Sequence, residues 1–237
     1  MRNEVLSLMP LPLVPPHAWD ISPEEAMVIQ MQWRGQVIRE DRLGEICTIA
    51  GVDVGFEDQG QVARAAVVVL DFPALTLRHQ VLARKVVTFP YIPGLLSFRE
   101  VPAILEALAQ LEKWPDVLLV DGQGIAHPRR LGIASHLGVW CDVPTIGVAK
   151  SRLVGQHAPV AENVGAWQPL YEGREVIGAA LRTRAGVKPV YVSIGHRVSL
   201  ETAIDLVMHC TRGYRLPEPL RLAHHLASVE KGGKEGD

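Results

Sequence analysis

Cysteine, net charge and long apolar runs are all in short supply. The three cysteines, Cys47, Cys141 and Cys210, are odd in number and widely spaced, which argues against a disulfide framework or a zinc site. Lying mostly in apolar runs, they read as reduced core residues of a protein kept in a reducing cytoplasm. A net charge of −2 argues against a protein that coats nucleic acid by bulk positive charge. No stretch approaches the ~18 uninterrupted apolar residues of a membrane helix. The apolar segment 6–14 is short and broken by Pro10 and Pro12, unlike the apolar centre of a secretion signal. No break in composition divides the chain either. With 237 residues and 48% hydrophobic content, the expectation is one α/β domain over 17–230. An irregular, proline-rich segment 1–16 should precede it and a disordered tail 231–237 should follow it.

The stretch 116–138 organises what is present. Val117 to Val120 form an apolar run too short for a helix and suited to a strand buried on both faces, and the run ends in Asp121. Gly122 and Gly124 follow, then His127 and Pro128, then a helix carrying Leu131, Ile133, Ala134 and Leu137. Open sheets of such units place their ligand crevice at the carboxyl ends of the strands. Asp121 is therefore a candidate site residue, although Asp-Gly is also a common turn dipeptide. Asp53, inside the apolar run 49–56, has no turn to explain it, and an unpaired charge there would be costly. A divalent cation held jointly by Asp53 and Asp121 would account for both.

Along the chain, Ser22-Pro23-Glu24-Glu25 combines an N-cap serine, a proline at the first helical position and a capping-box glutamate. The spacing predicts a helix to about Arg39 with Ala26, Ile29, Trp33 and Val37 on one face. Three strands, 46–56, 62–70 and 75–89, joined by short polar links, suit an antiparallel meander. In Pro90-Tyr91-Ile92-Pro93-Gly94 two prolines stiffen a loop, which either holds Tyr91 and Ile92 outward as a wedge or folds Tyr91 back onto the core as a surface turn.

A helix ending near Lys113 follows. Ser97-x-x-Glu100 could be its capping box, whereas a start nearer Glu100 would avoid burying Pro102 in the helix and leave that carboxylate free. The run 143–149 reads as a strand parallel to its predecessor, with Lys150 at its end as Asp121 is at the other. Strands 175–182 and 189–194, a helix 199–210 and a last helix from about Leu216 complete the chain. In that last helix His224 and His225 are equally placed, and either could be helix surface. Between Asp121 and Leu200 nine Lys/Arg face five Asp/Glu, an excess that could meet phosphates or simply be solvated surface.

Gly51-Val52-Asp53, Pro90-Tyr91-Ile92-Pro93-Gly94 through Phe98-Arg99-Glu100, Val120-Asp121-Gly122-Gln123-Gly124 with Ala126-His127-Pro128-Arg129, Gly147-Val148-Ala149-Lys150-Ser151, and Pro217-Glu218-Pro219 with Arg221-Leu222-Ala223-His224 together resemble the endonuclease V family. The match runs in order from about Trp19 to His224. It implies an RNase H-like α/β fold, a mixed sheet of antiparallel meander and parallel strands flanked by helices. It also implies a Mg²⁺-dependent endonuclease, with Mn²⁺ able to substitute. Such an enzyme recognises deoxyinosine, or other deaminated bases, in DNA and nicks the second phosphodiester bond 3′ to the lesion, leaving 3′-hydroxyl and 5′-phosphate ends.

Carried over by position, Asp53, Asp121, Glu100 and His224 resemble the family's metal-binding set, Lys150 its active-site lysine, and Tyr91 with Ile92 its wedge. Gly94, Gly122, Gln123 and His127 fall where the family holds the damaged base. A monomer without a membrane partner is expected. Two alternatives stand beside this reading: an endonuclease whose main target is inosine-containing RNA, and a noncatalytic nucleic-acid-binding module on the same fold.

Overall fold

The computed structural model describes residues 16–228, so the expectations for the N-terminal segment before Pro16 and for the tail lie outside the described residues. One eight-stranded mixed sheet dominates the chain. Its strands are β1 (Thr48–Glu57), β2 (Val62–Asp71), β3 (Leu77–Val86), β4 (Val117–Asp121), β5 (Thr145–Ala149), β6 (Trp167–Glu172), β7 (Glu175–Leu181) and β8 (Val190–His196). Five helices flank it: α1 (Pro23–Trp33), α2 (Leu96–Leu108), α3 (Ile133–Cys141), α4 (Leu200–His209) and α5 (Glu218–Ala227).

The spatial order is β3-β2-β1-β4-β5-β8-β7-β6. β1 to β3 form the expected antiparallel meander, β1, β4 and β5 run parallel, and β8, β7 and β6 return antiparallel, in the RNase H-like arrangement. β4 lies at the centre, and Val117 to Val120 are at most 1% exposed, as a strand covered on both faces requires. Among the described residues no helix is long and apolar enough to cross a membrane.

A polar lock sets the register of β1 against β4. Asp116, just before β4, accepts hydrogen bonds at one carboxylate oxygen from the N–H groups of Cys47 and Thr48 and from the Thr48 hydroxyl, at 2.8–2.9 Å. Five residues further along both strands stand Asp53 and Asp121. Val52 pairs with Val120, so the next step of the same parallel register sets the two aspartates side by side.

α5 then lies against β1 because alternate residues there are glycines. A Cβ on Gly51 would stand 2.0 Å from the Pro219 carbonyl oxygen, and one on Gly55 would stand 2.2 Å from that of Ala227. Asp53 lies between them on the same face of the strand and His224 between their partners on the helix, so the two side chains meet.

Several sequence expectations need correction. α1 keeps its Ser22 capping box but ends at Trp33, where Gly35 breaks the helix into a short 3₁₀ turn at Arg34–Gln36. α2 begins at Leu96, before Ser97, so Ser97 is no cap and Pro102 sits inside the helix. Burial of Phe98, Val101, Ile104 and Leu108 to 1% exposure or less offsets the lost hydrogen bond. β6 was not legible, since it is a half-exposed edge strand carrying Pro169. Cys47 is exposed, while Cys141 and Cys210 are buried thiols.

Removing the register lock should cost stability. Asp116→Ala leaves two backbone N–H groups and a hydroxyl short of their acceptor, and should destabilise the protein by about 1–3 kcal/mol. Asp116→Asn should recover part of that loss. Urea unfolding checks both, and an unchanged midpoint for Asp116→Ala would refute the lock.

Candidate active site

Side by side on neighbouring strands, Asp53 within β1 and Asp121 at the carboxyl end of β4 have side chains only 11% and 13% exposed. One oxygen of Asp53 accepts from the Val54 N–H at 2.9 Å, and the other lies 2.7 Å from Nδ1 of His224 on α5. Lys150, immediately after β5, donates from Nζ to Asp121 Oδ2 at 2.5 Å. One ligand atom each from Asp53, Asp121 and His224 lies within 4.8 Å of the others. The choice between His224 and His225 is thus made by helix phase, which turns His224 toward Asp53.

Glu100 approaches from α2 and is 7% exposed. It stands outside that three-residue group, yet its carboxyl feels both aspartates. Burial first, then the charges of Asp53 and Asp121, raise its pKa well above 4.5. Asp53 is raised for the same reasons, burial first and Asp121 next, with His224 and Lys150 pulling the other way. Three carboxylates thus converge in a half-buried space that contains one ammonium and one imidazole. Hard oxygen donors with an excess of negative charge suit a divalent cation of the Mg²⁺ or Mn²⁺ type, and the donor set fits one.

A cavity of about 380 Å³ opens beside the carboxylates, walled by the loop 91–94, the turn 121–123 and residues 149–153. Its backbone is shaped by glycine. Gly94 has φ +81° and Gly122 φ +149°, and a Cβ on Gly122 would stand 2.5 Å from Ile133 Cγ2. Tyr91 is 70% exposed and so is not folded onto the core, while Ile92 packs partly against Phe89, Leu95 and Phe98. Gln123 lines the cavity, and its Nε2 donates to the Ser151 carbonyl at 2.9 Å. That bond fixes the orientation of the amide, and among the described residues Oε1 is buried without a partner.

His127 also lines the cavity, but both its ring nitrogens are engaged within the protein. Nδ1 accepts from the Arg129 N–H at 3.1 Å and Nε2 donates to the Gly94 carbonyl at 3.0 Å. Burial, then the charge of Arg129, lower its pKa to about 4, so the ring is neutral.

The local cationic excess persists in space, because of the segment's own cations its five acids engage only Arg130, Lys150, Arg182 and Arg197 and leave Arg129, Arg152, Arg174, Arg184 and Lys188 without an acidic partner among the described residues. Asp121, Asp142, Glu162, Glu172 and Glu175 are all ion-paired with neighbouring Lys or Arg side chains. Arg152 forms no ion pair among the described residues and lines the cavity. Sequence reasoning missed it along with Gln30, a cavity residue from α1. Only its adjacency to Lys150-Ser151 could have singled out Arg152, and nothing in the pattern of α1 marks Gln30.

The family model for Endonuclease V matches residues 31–225. A relative of that name from Nostoc sp. is 59% identical over 214 residues, which are 90% of this chain and 97% of the relative. The crystal structure of the endonuclease V of Streptomyces avermitilis superposes with a TM-score of 0.84 at 43% identity, covering 90% of this chain and 94% of that one. Endonuclease V of Ciona intestinalis, solved with a 23mer DNA containing an inosine followed by a ribo-adenosine, has a TM-score of 0.76 at 30% identity. That match covers 87% of this chain and 97% of the Ciona chain.

The carboxylate cluster makes a pH-dependent prediction. Because Glu100 has a folded-state pKa above its unfolded value, ionising it destabilises the metal-free fold as pH rises from about 4.5 through the folded value, whereas below 4.5 both states are protonated. Glu100→Gln should therefore raise the urea midpoint in EDTA at neutral pH, and the gain should vanish by pH 4.5. A gain that persists unchanged in acid would contradict the assignment.

Proposed function

This chain belongs to the endonuclease V family and is an inosine-recognising repair endonuclease, and we propose that it nicks the second phosphodiester bond 3′ to deoxyinosine with Mg²⁺ held by Asp53, Asp121, Glu100 and His224. The observation that carries this reading is the pairing of Asp53 and Asp121 on adjacent strands, beside a cavity that opens from the turn after Asp121. When bound, the divalent ion would polarise the scissile phosphate and acidify a water for in-line attack, and Mn²⁺ would serve as well. The geometry supports the remaining roles in this reading. Lys150 Nζ, held by Asp121, stands where it can balance the negative charge that grows on the phosphorane. Arg152, exposed at the cavity rim, would meet a backbone phosphate.

Recognition requires the base to leave the stack, because a stacked hypoxanthine hides the edge that distinguishes it. Tyr91, with Ile92 behind it, fills the gap while the base enters the cavity, where the backbone at Gly94 and Gly122 can approach closely. Discrimination falls to Gln123. Its Oε1, buried and without a partner among the described residues, would accept from hypoxanthine N1–H after a small shift that turns it to the cavity, whereas adenine would present a bare N1 lone pair to the same oxygen. His127 serves by walling the cavity and holding Gly94 rather than by offering the base a free nitrogen.

RNA is a second substrate reading, motivated by the ribo-adenosine that follows inosine in the strand bound by the Ciona relative. Paired kinetics on matched DNA and RNA strands separate the two. The cytoplasm is the proposed location, where all three cysteines remain thiols.

Cleavage of an end-labelled oligonucleotide with one central deoxyinosine, with and without Mg²⁺, tests the proposal directly. The product should map to the second bond 3′ to inosine and vanish in EDTA, and a cut elsewhere or one indifferent to EDTA would overturn it. Asp121→Ala should bind the strand in Ca²⁺ yet cut it at least ~100-fold more slowly in Mg²⁺. Gln123→Leu should lower the preference for inosine over adenine about tenfold, the worth of one hydrogen bond in a buried site.

A further inference from the structure

We propose that Gln30, on α1 and outside the metal cluster, is a positioning residue for base selection. Through the Gly94 carbonyl it holds the wedge loop in one pose over the base cavity. The inference rests on the reading of that cavity as the base site.

Gln30 is 1% exposed, and a buried amide is costly unless its polar atoms are paired. They are paired with the cavity wall. Nε2 donates to the carbonyls of Gly94, at 3.0 Å, and Leu131, at 3.1 Å, while Oε1 accepts from the Arg129 guanidinium. The Gly94 oxygen receives two further donors, Arg129 Nη2 at 2.8 Å and His127 Nε2 at 3.0 Å. A carbonyl has two lone pairs, so three donors over-determine its position. On the opposite side of the same peptide, the Leu95 N–H donates to the Ile92 carbonyl at 2.9 Å. Turning that peptide would break four hydrogen bonds at once.

Pro90 and Pro93 stiffen the loop internally, but they do not fix where it sits. The Gly94 clamp does. Tyr91 and Ile92 lie directly upstream of the pinned peptide, and Leu131 also lines the cavity, so Gln30 ties two stretches of its wall to α1. His127 is committed to the same oxygen, and Arg129 bonds both that oxygen and Gln30, so the three donors act as one unit. Loosening the clamp should let the cavity admit a base in more than one pose. Selectivity depends on a single pose, since one misplaced acceptor removes the difference between N1–H and a bare N1.

The test compares Gln30→Leu, which removes all three bonds at similar volume, with Gln30→Glu, which keeps an acceptor for Arg129 but loses both donated bonds. Steady-state cleavage of inosine and adenine strands is measured for each in Mg²⁺, with Gln123→Leu as a control on the cavity itself. Both Gln30 variants should raise KM for the inosine strand about tenfold and lower the inosine-to-adenine ratio, with kcat held within about threefold. A merely structural role would lower Tm and kcat while leaving KM and selectivity unchanged, and that result overturns the proposal. If Gln123→Leu alters selectivity and the Gln30 variants do not, the cavity reading stands and Gln30 is excluded. If neither alters it, both fall. Should Gln30→Leu not fold, Gln30→Glu carries the comparison, because it retains the Arg129 contact.

Discussion

The site depends on one strand register. Asp116 grips the start of β1 through the Cys47 and Thr48 N–H groups and the Thr48 hydroxyl, and equal counts of residues along β1 and β4 then bring Asp53 and Asp121 abreast. A slip of one residue would turn one carboxylate to the other face of the sheet and abolish the pair. Polar anchoring at one end of the strands therefore determines the chemistry possible at the other. Burying these carboxyl groups, and then bringing like charges together, is unfavourable, and the raised pKa values of Asp53 and Glu100 record that cost. Lys150 and His224 compensate only part of it. The remainder is what gives such a cluster its affinity for a divalent cation.

Close backbone approach is the second constraint. Gly51 and Gly55 let α5 settle onto β1 so that His224 reaches Asp53, and side chains at those positions would collide with helix carbonyls. The same economy governs the base cavity. Asp121 belongs to the carboxylate cluster and Gly122, its neighbour in the chain, to the cavity wall. In the proposed reading, recognition and cleavage are thereby separated by a short turn, as cutting at a set distance from the recognised base demands. On the far wall the loop carrying Tyr91 is pinned at Gly94 by groups from α1 and from the 127–129 turn.

Much of this was visible in the residues. Asp53 stood out because no turn could explain a charge in an apolar run, and Asp121 and Lys150 because each closes a run of buried aliphatics. The meander, the parallel pair and the capping box of α1 followed from periodicity and local chemistry, which act over a few residues and leave a local trace. The failures have equally physical origins. The start of α2 was misjudged because burial of its apolar face outweighs the bond that Pro102 forfeits. β6 left no alternation to read because an edge strand is half solvated. The basic excess near the site was legible as a count, but which cations stay clear of the acids depends on side-chain contacts that a count does not contain.

By itself, the sequence determined which residue types end the buried strands, where glycine permits close approach, and the resemblance that pointed to inosine-directed hydrolysis. Only the tertiary structure decided that His224 rather than His225 meets Asp53, that Tyr91 faces solvent, that His127 spends both nitrogens inside the protein, and that Gln30 grips the cavity wall. The decisive contacts, His127 to Gly94, Gln30 to Gly94 and His224 to Asp53, join residues 33 to 171 positions apart in the chain and are set by strand register and helix phase. A linear pattern carries no record of such angles and offsets, because they arise only when separately legible elements pack against one another.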